Sequence, residues 1–537
     1  MNEGILRGGF FHRFFLWLAS CYRASLLVGF FRFWGRQLNT SHTKALLCKV
    51  LGSPMRATDR SLVSHLTGRL LLSLRRMFAA IQPEKSLIAR ALSRASASNV
   101  YKRSLFGGIA LRLERGSFLL GVFCLYLPIE WLIRLTTPEQ IGAIWDQLFL
   151  VLCILAILIS RLNPRNQCVS GATPLDGALL LFLGIGVLLV CVVSPIFPVA
   201  VSGWRAVYEY MLWFFVVARL ARTWRATKLC CNLFVLMGAA LGLHAIYQFI
   251  VAAPIPTGWV SIYESSLRTR AYSIVGSPNI LGCLFVMLAP MAAGMAYAAK
   301  KTRQKLLYWG FVAVMCLGCL FTFSRGAWVG MAVAVVLFSL LRDRRLLLVG
   351  GLAALIAMMT PQIGGRLSFV FTDAFERGNT TSGRGARWAY GLDLLHRNNP
   401  VFGFGLGRFG GAIAMQNQTE RGLRYFYLDN YYMKVLVEMG YVGLVGYLFV
   451  LLSMLTNGLR ALFRVRRQGE RYSMLCGIFA GLSGVLAHCY FENIFEVPYM
   501  NAYFWGLCAL MMVIGWKLRD TTAGSVGAQV AASAPTS

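Results

Sequence analysis

The chain has 537 residues, of which 57% are hydrophobic and only 14% charged, with a mean hydropathy of +0.60. Water-soluble domains carry roughly a quarter charged residues, so this composition excludes a soluble enzyme and a disordered chain and indicates a polytopic membrane protein. The remaining charge is lopsided, 53 Lys and Arg against 21 Asp and Glu, a net +32. Where those charges lie decides between nucleic-acid binding and the basic cytoplasmic loops of a membrane protein.

Residues 1–115 form a basic region with 19 Lys and Arg against four acids, Glu3, Asp59, Glu84 and Glu114, and no run apolar enough to span. Phe10–Trp34 mixes aromatics with Arg13, Arg23 and Arg32, as expected of an interfacial helix on an anionic leaflet. No small-residue cleavage site follows an uninterrupted apolar core, so this is not read as a signal peptide. Ser93–Asn99 reads as a linker.

From residue 116 the hydropathy predicts about twelve spans: 116–136, 143–160, 175–194, 204–218, 229–252, 277–299, 306–322, 326–341, 346–360, 434–457, 473–490 and 498–516. With the basic N-terminus inside, the inner loops collect Arg219, Arg222, Arg225 and Lys228; Lys300, Lys301, Arg303 and Lys305; Arg342, Arg344 and Arg345; and Arg460, Arg464, Arg466, Arg467 and Arg471. The outer loops 137–142, 195–203 and 491–497 hold no Lys or Arg. This alternation accounts for most of the charge without nucleic acid and puts both termini, including the tail 517–537, in the cytoplasm. The expected fold is an all-α transmembrane bundle, with spans one to nine over 116–360, three more over 434–516, and one long extracytoplasmic loop at 361–433. None of the 14 cysteines falls in an outer loop, so no disulfide framework is expected.

The long loop is too long for a connector and carries Arg366, Arg377, Arg384, Arg387, Arg397, Arg408, Arg421 and Arg424. Arg268, Arg270 and Arg325 also face out, and the last two occupy short outer connections where arginine is disfavoured. Clustered arginines suit an anion with several oxygens, such as a diphosphate, which they would hold and whose developing charge they would neutralise. Anchoring of the loop to lipid head groups is the competing reading. No Asp-x-Asp pair occurs, the outer acids are scattered, and His396 is the sole outer histidine, so neither a metal nor a cofactor is expected.

Within the loop, Arg384 to His396 predicts a helix with Trp388, Leu392 and Leu395 on one face and Arg384 stacked over Trp388. Gly405 to Gly410 formally matches a dinucleotide fingerprint, but no strand precedes it; a turn that lets backbone approach closely is the better reading. Asp429-Asn430 heads the next span. Asp429 is open to two roles, helix cap or general base for a sugar hydroxyl. Lys434 and Glu438 are spaced to pair one turn further in.

These segments resemble the O-antigen ligase and O-antigen polymerase superfamily of bacterial membrane glycosyltransferases. The matching pieces are Arg270 with Gly276, Pro278 and Asn279; Phe323-Ser324-Arg325-Gly326 with Trp328; Ser382-Gly383-Arg384 with Trp388; Pro400 with Gly403 and Gly405; and Asp429-Asn430 with Tyr432, Glu438, Gly440 and Gly443. The resemblance covers residues 116–516. It implies a GT-C-like, metal-independent glycosyltransferase at the outer face of the bacterial plasma membrane, acting on an undecaprenyl-diphosphate-linked glycan donor and a glycan or lipid acceptor. It maps the family's arginines onto Arg270 and Arg384 as donor-diphosphate ligands; the reading of the residues adds Asp429 as the third catalytic candidate and Arg325, Arg387, Trp388 and Arg408 as candidate substrate contacts. Ligases carry a histidine where this chain has Asp429, which tilts the reading from ligase toward polymerase. A transporter or flippase for a lipid-linked or anionic substrate, and a peptidoglycan polymerase of the shape-and-division type, are the alternatives.

Overall fold

The computed structural model describes residues 116–162, 172–255, 269–381, 383–420, 422–466 and 468–518. The interfacial helix over Phe10–Trp34, the linker Ser93–Asn99, Arg268, Arg421 and the tail beyond 518 lie outside the described residues. Within them every regular element is helical. Five helices are long and apolar enough to cross a membrane: Trp224–Ile250, Pro278–Ala298, Thr302–Phe321, Tyr431–Arg464 and Pro498–Lys517. Counting two bent pairs as single spans gives seven. The shorter apolar helices Ile144–Leu158, Asp176–Val192 and Arg325–Leu341 add to the bundle. The protein is therefore a multi-pass helical membrane protein. The Arg345–Met359 helix buries no residue, leaving Leu348, Leu352, Leu355 and Met359 exposed as a lipid-facing helix does.

The expected continuous helix over 116–136 is instead a bent pair, Ser117–Cys124 and Tyr126–Thr136, meeting at 69°. Pro128 has no N–H to return to the Cys124 carbonyl. The Tyr503 hydroxyl takes that place, donating to Cys124 O at 3.1 Å while accepting from Leu127 N at 2.8 Å. The expected span 204–218 is likewise interrupted, as Phe197–Tyr208, a 3-10 turn Glu209–Met211 and Leu212–Leu220. Carbonyls at the break, of Ala206 and Val207, accept from the buried Asn501 side chain.

Pro278–Ala298 is the central helix, packed against Gly469–His488, Thr302–Phe321, Arg325–Leu341 and Trp224–Ile250. The approach to Gly469–His488 is backbone to backbone. A β-carbon at Gly477 or Gly481 would stand 2.3 Å from the carbonyl oxygen of Pro290 or Met287. Small residues four apart allow such contact, which gives apolar helices dispersion energy that lipid cannot match. The packing also sorts the polar groups by helix end. Lys228 pairs with Glu470 and Arg342 bonds Ser473 at one end, whereas Arg270, Asn279 and Glu492 meet at the other.

The segment 361–433 folds on that second end. It contains helices Pro361–Ser368, Asp373–Thr381, Arg384–Arg397 and Ala412–Asn417. Its small core is Phe404, Phe409 and Leu428 together with Val437 of the helix that follows, flanked by Trp388, Tyr390, Leu394 and Phe426. The segment is laced into the helix Tyr431–Arg464, which breaks at Gly440 (φ 65°). The carbonyls of Val437 and Glu438, freed by the break, accept from Phe404 N at 2.8 Å and Gly405 N at 3.0 Å. In return Tyr441 N and Val442 N donate to Pro400 O and Val401 O. Two of the motifs singled out in the sequence are thus the two halves of one backbone junction.

Candidate functional site

The Arg384–Arg397 helix forms as the hydrophobic pattern predicts, burying Gly391 and Leu395. The Trp388 indole N–H donates to Leu428 O at 3.0 Å, which ties the helix to the strand of chain leading into Asp429. Arg384 does not take up the expected position over Trp388. It turns toward Asp429, while the Trp388 ring rests edge-on against Tyr490 at 5.4 Å. Arg384 and Arg387, three apart, share one helix face. Arg387 Nη1 donates to Asp429 Oδ2 at 2.9 Å and to Tyr427 O at 3.0 Å; Arg384 Nε is 3.8 Å from the same carboxylate oxygen.

Asp429 stands in the left-handed region at φ 52°, which Asp tolerates better than most residues. Its neighbour Asn430 is the helix cap: Asn430 Oδ1 accepts from Met433 N at 3.1 Å. The cap reading of Asp429 is therefore corrected. The chain reverses at Asp429 so that Asn430 caps the helix, and the Asp429 carboxylate is left to face two guanidinium groups. Burial raises its pKa above the usual carboxylate value, and the Arg384 and Arg387 charges pull against that rise.

Arg270 enters from the connection before Pro278–Ala298. That helix starts at Ser277, which accepts from Ile280 N at 3.4 Å, with Pro278 in its first turn and Asn279 next. Arg270 is buried, with Nε donating to Thr322 O at 3.0 Å and Nη2 to Asn279 Oδ1 at 3.0 Å. Thr322 precedes the tight turn at Phe323 (φ 50°), after which Ser324 caps Arg325–Leu341. The arginine motif and the Phe323-Ser324-Arg325-Gly326 motif are thus one assembly.

Asn279 Nδ2 in turn donates to Glu492 Oε2. Glu492, in the connection after Gly469–His488, carries a carboxyl pushed up to about 7, chiefly by burial and then by the Asp429 charge; Arg384 and the Asn279 hydrogen bond act the other way. Glu492 was only one among scattered outer acids in the sequence. The signal that could have found it was a carboxylate between apolar neighbours in a very short connection, Phe491-Glu492-Asn493-Ile494. Two walls therefore meet here: Arg384, Arg387, Trp388 and Asp429 from the long segment, and Arg270 through Asn279 and Glu492 from the bundle.

The remaining expected contacts lie elsewhere. Arg325 reaches the Pro361–Ser368 helix, donating to Arg366 O at 3.4 Å, with its guanidinium 6.0 Å from the Phe369 ring. Arg408 is buried in the glycine-rich turn, bonded to Phe404 O at 2.7 Å, paired with Glu420 and stacked on the Phe404 ring at 4.1 Å. His396 is exposed and bonds its own helix at Leu392 O. Lys434 pairs with Glu438 at 2.5 Å, as the spacing predicts, and also with Glu496 at 3.4 Å, all three largely buried beneath Gly411.

Residues 310–448 match the family model described as O-antigen ligase. The matched segment contains Arg325, Arg384, Arg387, Trp388, Arg408 and Asp429, and the resemblance to the O-antigen ligase and polymerase superfamily is borne out there. A search of curated proteins finds no match.

Proposed function

We propose that this membrane protein is a glycosyltransferase that transfers or polymerises a glycan from an undecaprenyl-diphosphate-linked donor at the outer face of the bacterial plasma membrane. The observation that carries this reading is the convergence of Arg384, Arg387 and Asp429 at the end of the bundle, with Arg270 joined to them through Asn279 and Glu492. Guanidinium forks bind phosphate oxygens in pairs. The donor diphosphate competes for the guanidinium groups that hold Asp429 in the free protein, and its arrival releases the carboxylate toward the acceptor hydroxyl.

In the reaction, the bond between the sugar anomeric carbon and the diphosphate oxygen breaks, and the acceptor oxygen bonds that carbon. The acceptor proton passes to Asp429, and the diphosphate leaves with its added charge balanced by arginine. The reading uses no metal, because arginine supplies the charge that balances the leaving diphosphate. It also carries the topology of about twelve spans, with 361–433 external, 1–115 and 517–537 cytoplasmic, and Arg325 and Arg408 shaping the substrate surface from a distance.

The test is transfer by the purified protein in lipid nanodiscs, using membrane-extracted lipid-linked glycan as donor and acceptor. Appearance of a larger covalent product with wild type and its loss with Arg384→Ala supports the reading. Movement of the lipid-linked glycan across vesicles with no covalent product would support the transporter alternative.

A further inference from the structure

The site holds two carboxylates, and they are not equivalent. Asp429 is in direct contact with guanidinium groups. Among the described residues, Glu492 accepts hydrogen bonds from neutral N–H groups, the Asn279 side chain and the Asn493 backbone at 3.4 Å. Arg384 acts on it across space, and Arg270 lies beyond Asn279. The other ionisable groups facing it are Cys489 on its own segment, Cys283 on the Pro278–Ala298 helix and, from the long segment, Asp429 and Tyr427. Three arginines thus balance two acids before any ligand arrives.

A diphosphate linked at both ends to carbon brings two further negative charges into this half-buried space. Like charges this close disfavour full ionisation of both acids and the ligand. We propose that one proton is taken up from solvent when a lipid-linked diphosphate enters the site, and that Glu492 is the group that accepts it. The inference rests on the diphosphate-donor reading above. Asn279 suits both forms of Glu492: Nδ2 donates to Oε2 whether or not Oε1 carries the proton. In the empty site the Glu492 carboxyl titrates at about 7, through burial and the Asp429 charge, so it is mostly ionised at pH 8.5, and the two ligand charges must raise it well beyond that pH for the bound state to hold a full proton. Above that point each bound ligand must draw a proton, and affinity falls by up to about tenfold per pH unit.

The experiment uses the full chain in detergent with undecaprenyl-diphosphate-linked N-acetylglucosamine, a diester with no group titrating near neutrality, and measures Kd from pH 6.5 to 9. For wild type, binding is expected to be level below pH 7 and to weaken toward about tenfold per unit above it. Glu492→Gln should bind with no such slope and, at pH 8.5, up to about thirtyfold more tightly than wild type. Glu492→Asp, which restores a titrating carboxyl, should regain the slope. Calorimetry at pH 8.5 in buffers of different ionisation enthalpy should show about one proton taken up by wild type and none by Glu492→Gln. A slope unchanged in Glu492→Gln, or weaker binding by that variant at every pH, overturns this inference while leaving the donor reading intact, provided Arg384→Ala still loses binding. Absence of binding by wild type at every pH overturns both.

Discussion

Gly403 and Gly440 pack backbone against backbone. A β-carbon on Gly403 would lie 2.4 Å from the Gly440 nitrogen, and one on Gly440 would lie 2.5 Å from the Gly403 nitrogen. Both stand at positive φ, 85° and 65°. The junction holds the long segment in the break of the Tyr431–Arg464 helix, and Asp429 sits eleven residues before that break at Gly440, so the reference frame of the carboxylate depends on it.

Alanine at either glycine should therefore destabilise the protein by at least about 1–3 kcal/mol, from overpacking and from the left-handed backbone together. Thermal unfolding in detergent checks this. Gly351→Ala, in a lipid-facing helix with open space around it, serves as the control and should leave stability unchanged or slightly raised. An equally stable Gly440→Ala would mean that the junction is not what orders the segment.

Arg384→Ala and Arg270→Ala should each abolish glycan transfer while the protein still inserts and purifies. Arg384→Lys should rescue poorly, since an ammonium cannot make two parallel bonds to phosphate. Arg270→Lys should also fail, because the planar guanidinium donates to both Thr322 O and Asn279 Oδ1. Wild-type turnover in the two alanine variants would leave lipid anchoring as the role of these arginines. Transfer should also survive EDTA.

Asp429 and Asn430 can be separated. Asn430→Ala should cost about 0.5–2 kcal/mol through the lost cap. Asp429→Asn should leave stability near wild type and lower transfer by roughly 10²–10⁴-fold, because an amide cannot take the acceptor proton. A base works only when deprotonated, and burial raises the Asp429 pKa. The acid limb of the wild-type rate profile should accordingly lie above the ordinary carboxylate range. Partial activity in Asp429→His would indicate a role shared with the ligases' histidine; normal transfer by Asp429→Asn would move the base to another group.

Topology can be read by cysteine labelling in a variant stripped of native cysteines. A probe at Thr380 should react from outside and one at Gln304 should not; both side chains are exposed, so access is decided by membrane side. The reverse pattern would remove the site from the donor's side of the membrane.

Helices, their approximate extents and the amphipathic face of Arg384–Arg397 were legible in the sequence, because hydropathy and helical period are local properties. So was the start of a span at 277, since Pro278 and Asn279 mark a local helix entry. What needed the tertiary structure was every relation between distant segments. The break filled by Tyr503 follows from Pro128, but its filler lies in the last helix. The cap could not be assigned between Asp429 and Asn430 until the backbone at Asp429 was seen to turn left-handed. Arg408 read as a substrate contact in the sequence, yet burial beside Glu420 and Phe404 commits it to the turn. Glu492 looked like an isolated acid, and became part of the site only because helix packing carries Asn279 to it. Charge and hydrogen bonding act through space over a few ångströms, and only the folded bundle decides which distant residues come within that reach.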